Sequence, residues 1–457
     1  MVFSSLSFLA LFLPVFLAIY HIVPARSMKI KNLTLLAFSL FFYAVGEPVW
    51  VLVLVFSGLW DYVIGLFITQ CKKRWQAKML LLLSMCGNLG LLFVFKYGAF
   101  FMGLLGFDVQ FAASLPIGIS FYTFQTMSYT IELYRGHIKP QRDPVAFLSY
   151  VSMFPQLVAG PIIRYADVEG MLTERRVTLE GFSSGVTRFA VGLGKKIIFA
   201  NHAGAVATEL LGAAPGSLTT AGVWLGAVMF FFQIYFDFSG YSDMAIGLGK
   251  MIGFDFKENF NYPYTAKSVT DFWRRWHISL SSFFRDYIYI PMGGNRRFQV
   301  RNLIVVWSIT GLWHGASVNF VLWGLYYCAA LIIEKYALRG LLEKAPAVLA
   351  RVYTLLVVLV GWLIFYYTDL ATMRIAVAAF FGFAESLSDH RTTVQFLANL
   401  WILPVLALFS TRRPQRLFEL VKARLPIVEP VFTALVICVS IALLVGQSFN
   451  PFLYFRF

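Results

Sequence analysis

The sequence predicts an all-α, polytopic integral membrane protein. Three observations carry that reading. Hydrophobic residues make up 59% of the chain and charged residues only 13%, where a soluble domain carries about 25% charged. The apolar residues gather in runs near the length of ~20 residues that a membrane-crossing helix needs. The basic residues, which give a net charge of +15, cluster between those runs, as in cytoplasmic loops that lie against anionic headgroups. A soluble fold of this length has too little polar surface to enclose so much apolar area, and 47 phenylalanines suit lipid-facing and interfacial helices. The charge therefore reads as membrane topology and lipid contact rather than nucleic-acid binding.

In chain order, candidate runs fall at 5–23, 32–45, 48–70, 79–104, 116–134, 145–163, 185–212, 219–238, 303–336, 352–367, 394–409 and 428–447. The first is longer than a signal-peptide core of ~7–15 residues and lacks a basic leader, so it reads as a retained helix. The run 303–336 is long enough for a hairpin. Pro155, Gly160 and Pro161 interrupt 145–163, which reads as re-entrant, because charged stretches stand on both sides of it and broken backbone at membrane depth must be shielded by protein or water. That leaves roughly 11 transmembrane helices plus re-entrant and interfacial ones. Arg26, Lys29 and Lys31, then Lys72, Lys73, Arg74 and Lys78, then Arg135, Lys139 and Arg142, and finally Arg412, Arg413, Arg416, Lys422 and Arg424 mark cytoplasmic loops by the positive-inside rule. This parity puts both chain ends outside.

The stretch 250–301 is too polar to span and too aromatic for a plain loop. It reads as cytoplasmic and partly sunk into the bilayer, with 268–286 as an interfacial amphipathic helix. No internal repeat or low-complexity linker divides the chain, so it reads as one domain over 1–457. The four cysteines, Cys71, Cys86, Cys328 and Cys438, form no C-x-x-C pair and suggest neither a zinc site nor a disulfide framework.

His314 lies in Thr310-Gly311-Leu312-Trp313-His314-Gly315-Ala316, between two apolar runs. An imidazole there costs free energy unless it is paired or used. Its neutral form titrates near pH ~6.5 and can take a proton from a hydroxyl, while Gly311 and Gly315 permit close approach of a backbone or a substrate. The alternative is a buried histidine satisfied by a neighbouring carbonyl. His277, in Trp273-Arg274-Arg275-Trp276-His277-Ile278-Ser279, sits in the interfacial segment, where position alone leaves structure and function equally open. The separation of the two histidines is not a zinc-ligand spacing and no H-E-x-x-H pattern is present, so no metal is expected. Arg285-Asp286-Tyr287 and Gly293-Gly294-Asn295-Arg296-Arg297 offer cations and a turn for an anionic donor, or ordinary positive-inside charge. Asp237, framed by Phe236 and Phe238, suits a buried partner of a cation or a histidine, or else marks a helix end at the cytosol. No G-x-S-x-G elbow points to a serine nucleophile.

The run 233–243 (QIYFDFSGYSD), the block 259–264 (NFNYPY), the Phe272–Ser281 block, Arg285–Gly294 and Gly311–Ala316 resemble signatures of the membrane-bound O-acyltransferases, in the alginate O-acetyltransferase branch. The resemblance extends from 121–125 (FYTFQ) through Pro155–Pro161 to 452–457 (FLYFRF). It implies a helical fold around a central funnel with a thin floor, with His314 at the family's catalytic histidine and His277 at its second, cytoplasmic one. The candidate site is then His314 and His277 for catalysis, with Arg285, Asp286, Tyr287, Trp276, Trp313, Asp237 and Asn261 for substrate binding. The expected activity passes acetyl from cytoplasmic acetyl-CoA, or another thioester, across a bacterial inner membrane. A periplasmic acetyltransferase partner would then place it on a surface polysaccharide such as alginate. Cellulose and peptidoglycan are alternative acceptors. A transporter or scaffold subunit is the competing class, since broken helices and buried polar groups are transporter features too.

Overall fold

The computed structural model describes the chain except for Met1, Ala25, residues 108–114, Val158, Ala159, 447–451 and 454–457. Parts of two sequence blocks, 145–163 and 452–457, therefore lie outside the described residues. Among the described residues every regular element is a helix. Seven helices are long and apolar enough to cross a bilayer, eight if the bent pair His390–Asn399 and Ile402–Phe409 forms one span. Several expected runs fall short because helix length and apolar length differ. Phe8–Ile22 is a shorter apolar helix, and the expected run 116–134 gives the 17-residue helix Ile119–Arg135. Run 145–163 gives the nine-residue helix Pro144–Ser152 and the four-residue helix Phe154–Leu157. At ~1.5 Å per residue neither approaches the ~30 Å hydrocarbon thickness.

The chain divides into two compact units. One holds the residues up to Gly192, then Tyr241–Lys257 and the stretch from Leu444; the other holds Leu193–Gly240 and Glu258–Leu443. In the first unit, phenylalanines 3, 8, 12, 16, 42 and 154 form a buried cluster. Phe154 meets Phe12 and Phe16 edge-on at 5.3 and 5.0 Å, the arrangement that aligns a positive ring edge with a negative face. A polar knot holds three helices of this unit: the fully buried Asp61 accepts from Ser84 Oγ and from Asn88 Nδ2, both at 2.6 Å, and Ser84 reaches Thr130 at 2.9 Å.

In the second unit the run 303–336 is a hairpin, as expected, formed by Gln299–His314 and Val318–Ile333. The two helices touch backbone to backbone. A Cβ on Gly311 would stand 2.2 Å from the Phe320 carbonyl oxygen, and one on Gly324 would stand 2.2 Å from that of Trp307. Ala347–Tyr366 packs on this hairpin through Trp362 and Phe365.

Two expectations are corrected here. The segment 268–286 is not one amphipathic helix. Val269–Arg275 stops, His277 takes left-handed backbone angles (φ 45°, ψ 54°), and Ile278–Phe284 starts anew. Nor does a helix end near Asp237. Thr220–Met251 continues for 32 residues, because its carboxylates are neutralised inside the protein. Asp237 meets Lys196 at 2.6 Å with both side chains below 5% exposed, and Asp243 meets Arg188 at 2.6 Å.

Candidate active site

His314 is the last residue of the Gln299–His314 helix, which ends where Gly315 turns extended. The close helix crossing at Gly311 fixes where that end lies. At Gly315 a Cβ would stand 2.3 Å from the Phe320 ring, so the space the glycines save is filled by protein. Aromatic rings pack around the imidazole. Trp313 and Trp323 lie at 4.9 Å and Phe365 at 5.2 Å, all near perpendicular. The residue is 8% exposed, and it lines a cavity of about 960 Å³, near the upper end of the ~300–1,000 Å³ common for small-molecule sites.

His277 lines the same cavity and its geometry fixes its chemistry. Asn259, fully buried, accepts the Ser279 backbone N–H at 3.1 Å and the Ser279 hydroxyl at 2.9 Å through Oδ1. A backbone N–H can only donate, so this atom is the amide oxygen. His277 Nδ1, 3.2 Å away, must then carry the hydrogen that it shares with that oxygen. The neutral ring therefore presents Nε2 as its basic nitrogen. Burial pushes its pKa down to about 3, so the ring stays uncharged at cellular pH. Asn259 also accepts the Ile278 N–H through its main-chain oxygen at 3.0 Å, which supports the left-handed turn at His277. Phe238 meets the ring edge-on at 4.7 Å. Trp313 lies 5.8 Å from His277 and 4.9 Å from His314, and so touches both imidazoles.

The cavity wall carries five cations, Lys267, Arg274, Arg285, Lys335 and Arg339, against two carboxylates, Glu334 and Glu343. Glu343 is engaged with Arg339 at 2.9 Å. Glu334, buried at 5% exposure, caps the Val269–Arg275 helix from a distant part of the chain. It accepts Val269 N–H at 2.6 Å, Thr270 N–H at 3.0 Å and the Thr270 hydroxyl at 2.6 Å. The remaining charge favours an anionic ligand. Trp273, Trp276 and Trp307 add aromatic wall.

Of the residues expected from sequence, the cavity gathers His314, His277, Trp276 and Arg285, with Trp313 behind the two histidines. Asp286 sits just outside, bound to Arg285 at 2.7 Å. Tyr287 packs on Phe283 at 4.7 Å. Asp237 is engaged with Lys196, and Asn261 is exposed, holding Arg275 through main-chain bonds. The turn at Gly293-Gly294 has positive φ at both glycines and is pinned by Asn302, which donates to the Gly294 and Arg297 carbonyls. Sequence reasoning missed Asn259, Lys267, Trp273, Trp307, Glu334, Lys335 and Arg339. The signal for Asn259 was its place in the same short block as Asn261; Glu334 stood out only as a carboxylate at the end of an apolar run.

The family model for "MBOAT, membrane-bound O-acyltransferase family" matches residues 136–377, a stretch that contains both histidines and the whole cavity wall. The chain belongs to that family. As a member it is an acyltransferase of the membrane. It is 40% identical to "Probable alginate O-acetylase AlgI" of Azotobacter vinelandii, with all of both chains covered. It is 42% identical to the Pseudomonas aeruginosa protein of the same name over 90% of this chain and 82% of that one. It is 29% identical to "Peptidoglycan O-acetyltransferase" of Helicobacter pylori over 100% of this chain and 98% of that one.

Proposed function

We propose that this acyltransferase passes acetyl from a cytoplasmic thioester, acetyl-CoA being the best fit, towards O-acetylation of a surface polysaccharide of the alginate type. The observation that carries the reading is the placement of His314 in the wall of a positively charged cavity, in a chain similar over its full length to alginate O-acetylases. The cations suit the phosphates of a coenzyme; Arg285 contributes charge there, its Nε and Nη2 being held by Asp286. The tryptophans suit an adenine face. In the transfer, an acceptor O–H loses its proton to the His314 imidazole as its oxygen attacks the thioester carbonyl. The C–S bond breaks, and the departing thiolate takes up a proton. A relay through acetyl-histidine is the variant in which the imidazole itself attacks first. The loop charges orient the 250–301 face to the cytoplasm and the N-terminus to the periplasm of an inner membrane. A periplasmic acetyltransferase partner would then complete the placement of acetyl on the polymer, so that the coenzyme never crosses. Across the chain as a whole, reading it as one acyl-transfer domain fits the spread of the family match over both units.

The test is labelled acetyl-CoA offered to the purified protein in detergent, beside a surface-glycan acetyl assay in cells. His314→Ala should abolish both transfer and polymer acetylation while the protein still inserts and keeps its melting temperature. Retained transfer in that variant removes His314 from the mechanism. Transfer absent from the wild type with solute flux present would favour a transporter.

A further inference from the structure

A second charged site lies in the first unit, remote in sequence from the histidines. Lys31 and Arg175 are 6% and 5% exposed, and they bracket one ring. Lys31 Nζ lies 4.5 Å above the centre of Tyr20, and the Arg175 guanidinium lies 5.8 Å from the same centre. Arg175 spends part of its fork on neutral acceptors. Nε donates to the Tyr20 hydroxyl at 2.7 Å, and Nη1 donates to Asn32 Oδ1 at 2.7 Å and to the Met171 carbonyl at 3.0 Å. Its Nη2 is buried with no hydrogen-bond partner among the described residues. Among the described residues no carboxylate pairs with either cation. The adjacent Glu174 is bound to Arg176 and both are exposed, while Asp167 is bound to Lys257.

The buried Lys196, by contrast, has a carboxylate partner in Asp237. Two like charges largely out of water around one tyrosine, with N–H donors to spare, are stabilised when an opposite charge joins them. We propose that Lys31 and Arg175 bind a phosphate-type oxyanion. The ligand's oxygens accept from Arg175 Nη2 and from Lys31, a fork beside a point charge. Lys31 stands in the first turn of the Met28–Gly46 helix, where the helix dipole adds to the pull on an anion. Two sources share this chemistry: the phosphodiester of an anionic phospholipid at the membrane surface, and free phosphate.

The experiment uses the full-length protein. Native mass spectrometry scores retention of phosphatidylglycerol against phosphatidylcholine, and thermal unfolding in phosphatidylcholine nanodiscs is followed with and without millimolar inorganic phosphate. A lipid ligand gives at least tenfold preference for phosphatidylglycerol in the wild type, a preference lost in Lys31→Gln and kept in Lys31→Arg. A free-phosphate ligand gives no lipid preference but a phosphate-dependent rise in melting temperature, again lost in Lys31→Gln. Lys29→Gln, an exposed lysine two residues away, leaves either signal unchanged. A wild type that shows neither signal overturns the proposal. So does a preference that survives in Lys31→Gln, since that would reflect only the general basic charge. The wild-type readings stand on their own if Lys31→Gln folds poorly.

Discussion

Replacing Asn259 by alanine tests the second histidine most directly. The side-chain oxygen accepts three hydrogens, from the Ser279 N–H, the Ser279 hydroxyl and His277 Nδ1, at 3.1, 2.9 and 3.2 Å. Alanine keeps the main-chain carbonyl that receives the Ile278 N–H but strands the other groups in a buried site. Each buried donor left without a partner costs about 1–3 kcal/mol. The Ser279 hydroxyl can rotate towards another acceptor, which leaves the Ser279 N–H and His277 Nδ1, so a total of about 2–6 kcal/mol of stability should be lost. The left-handed turn at His277, itself about 1–2 kcal/mol above ordinary backbone, loses part of its support. With Nδ1 no longer held, the ring can rotate or carry its hydrogen on Nε2 instead. Loss of the correct tautomer should lower acetyl transfer at least tenfold, about 1.4 kcal/mol in the barrier. The assay pairs thermal unfolding in detergent with labelled-acetyl transfer, measured well below the variant's melting temperature. Asn259→Asp keeps the acceptor and should recover most of the stability, while its charge raises the pKa of His277. An alanine variant that melts and turns over like the wild type refutes the assignment of Asn259 as the positioning residue.

Three other outcomes follow from the same geometry. His277 has a folded pKa of about 3 against ~6.5 unfolded, so the unfolded chain binds the extra proton between those values. Its contribution is complete above pH ~6.5 and is lost as pH falls towards 3, by about 2 kcal/mol between pH 6.5 and 5; His277→Gln should flatten that part of the melting-temperature profile. Gly311→Ala forces a Cβ to within 2.2 Å of the Phe320 oxygen, so the hairpin must part, costing about 1–3 kcal/mol and displacing His314. Activity should fall more than stability explains, and an unaltered variant would disprove the close crossing. Asp237→Ala leaves Lys196 buried and uncompensated, at about 3–5 kcal/mol, whereas the double change Asp237→Leu with Lys196→Met should restore most of that in a melting experiment.

Hydropathy and charge were sufficient to find an all-helical membrane protein, the hairpin at 303–336 and His314, because each is written in a local run of residues, whereas His277 drew attention only through the family resemblance. An apolar stretch of the right length has few options in a bilayer, and an imidazole inside one is conspicuous. Three decisions belonged to tertiary structure. The first is the break at Trp276-His277, where an amphipathic pattern continues but the chain turns left-handed, held by Asn259 from 18 residues earlier. The second is the choice between Asn259 and Asn261, two residues apart in one block, of which packing buries one and leaves the other exposed. The third is the fate of Asp237, whose partner Lys196 lies on another helix. Periodicity reports which face of a helix is buried. It carries no record of which distant donor meets which acceptor, because that depends on where whole helices cross, and the crossing is set by glycines and rings far apart in the chain.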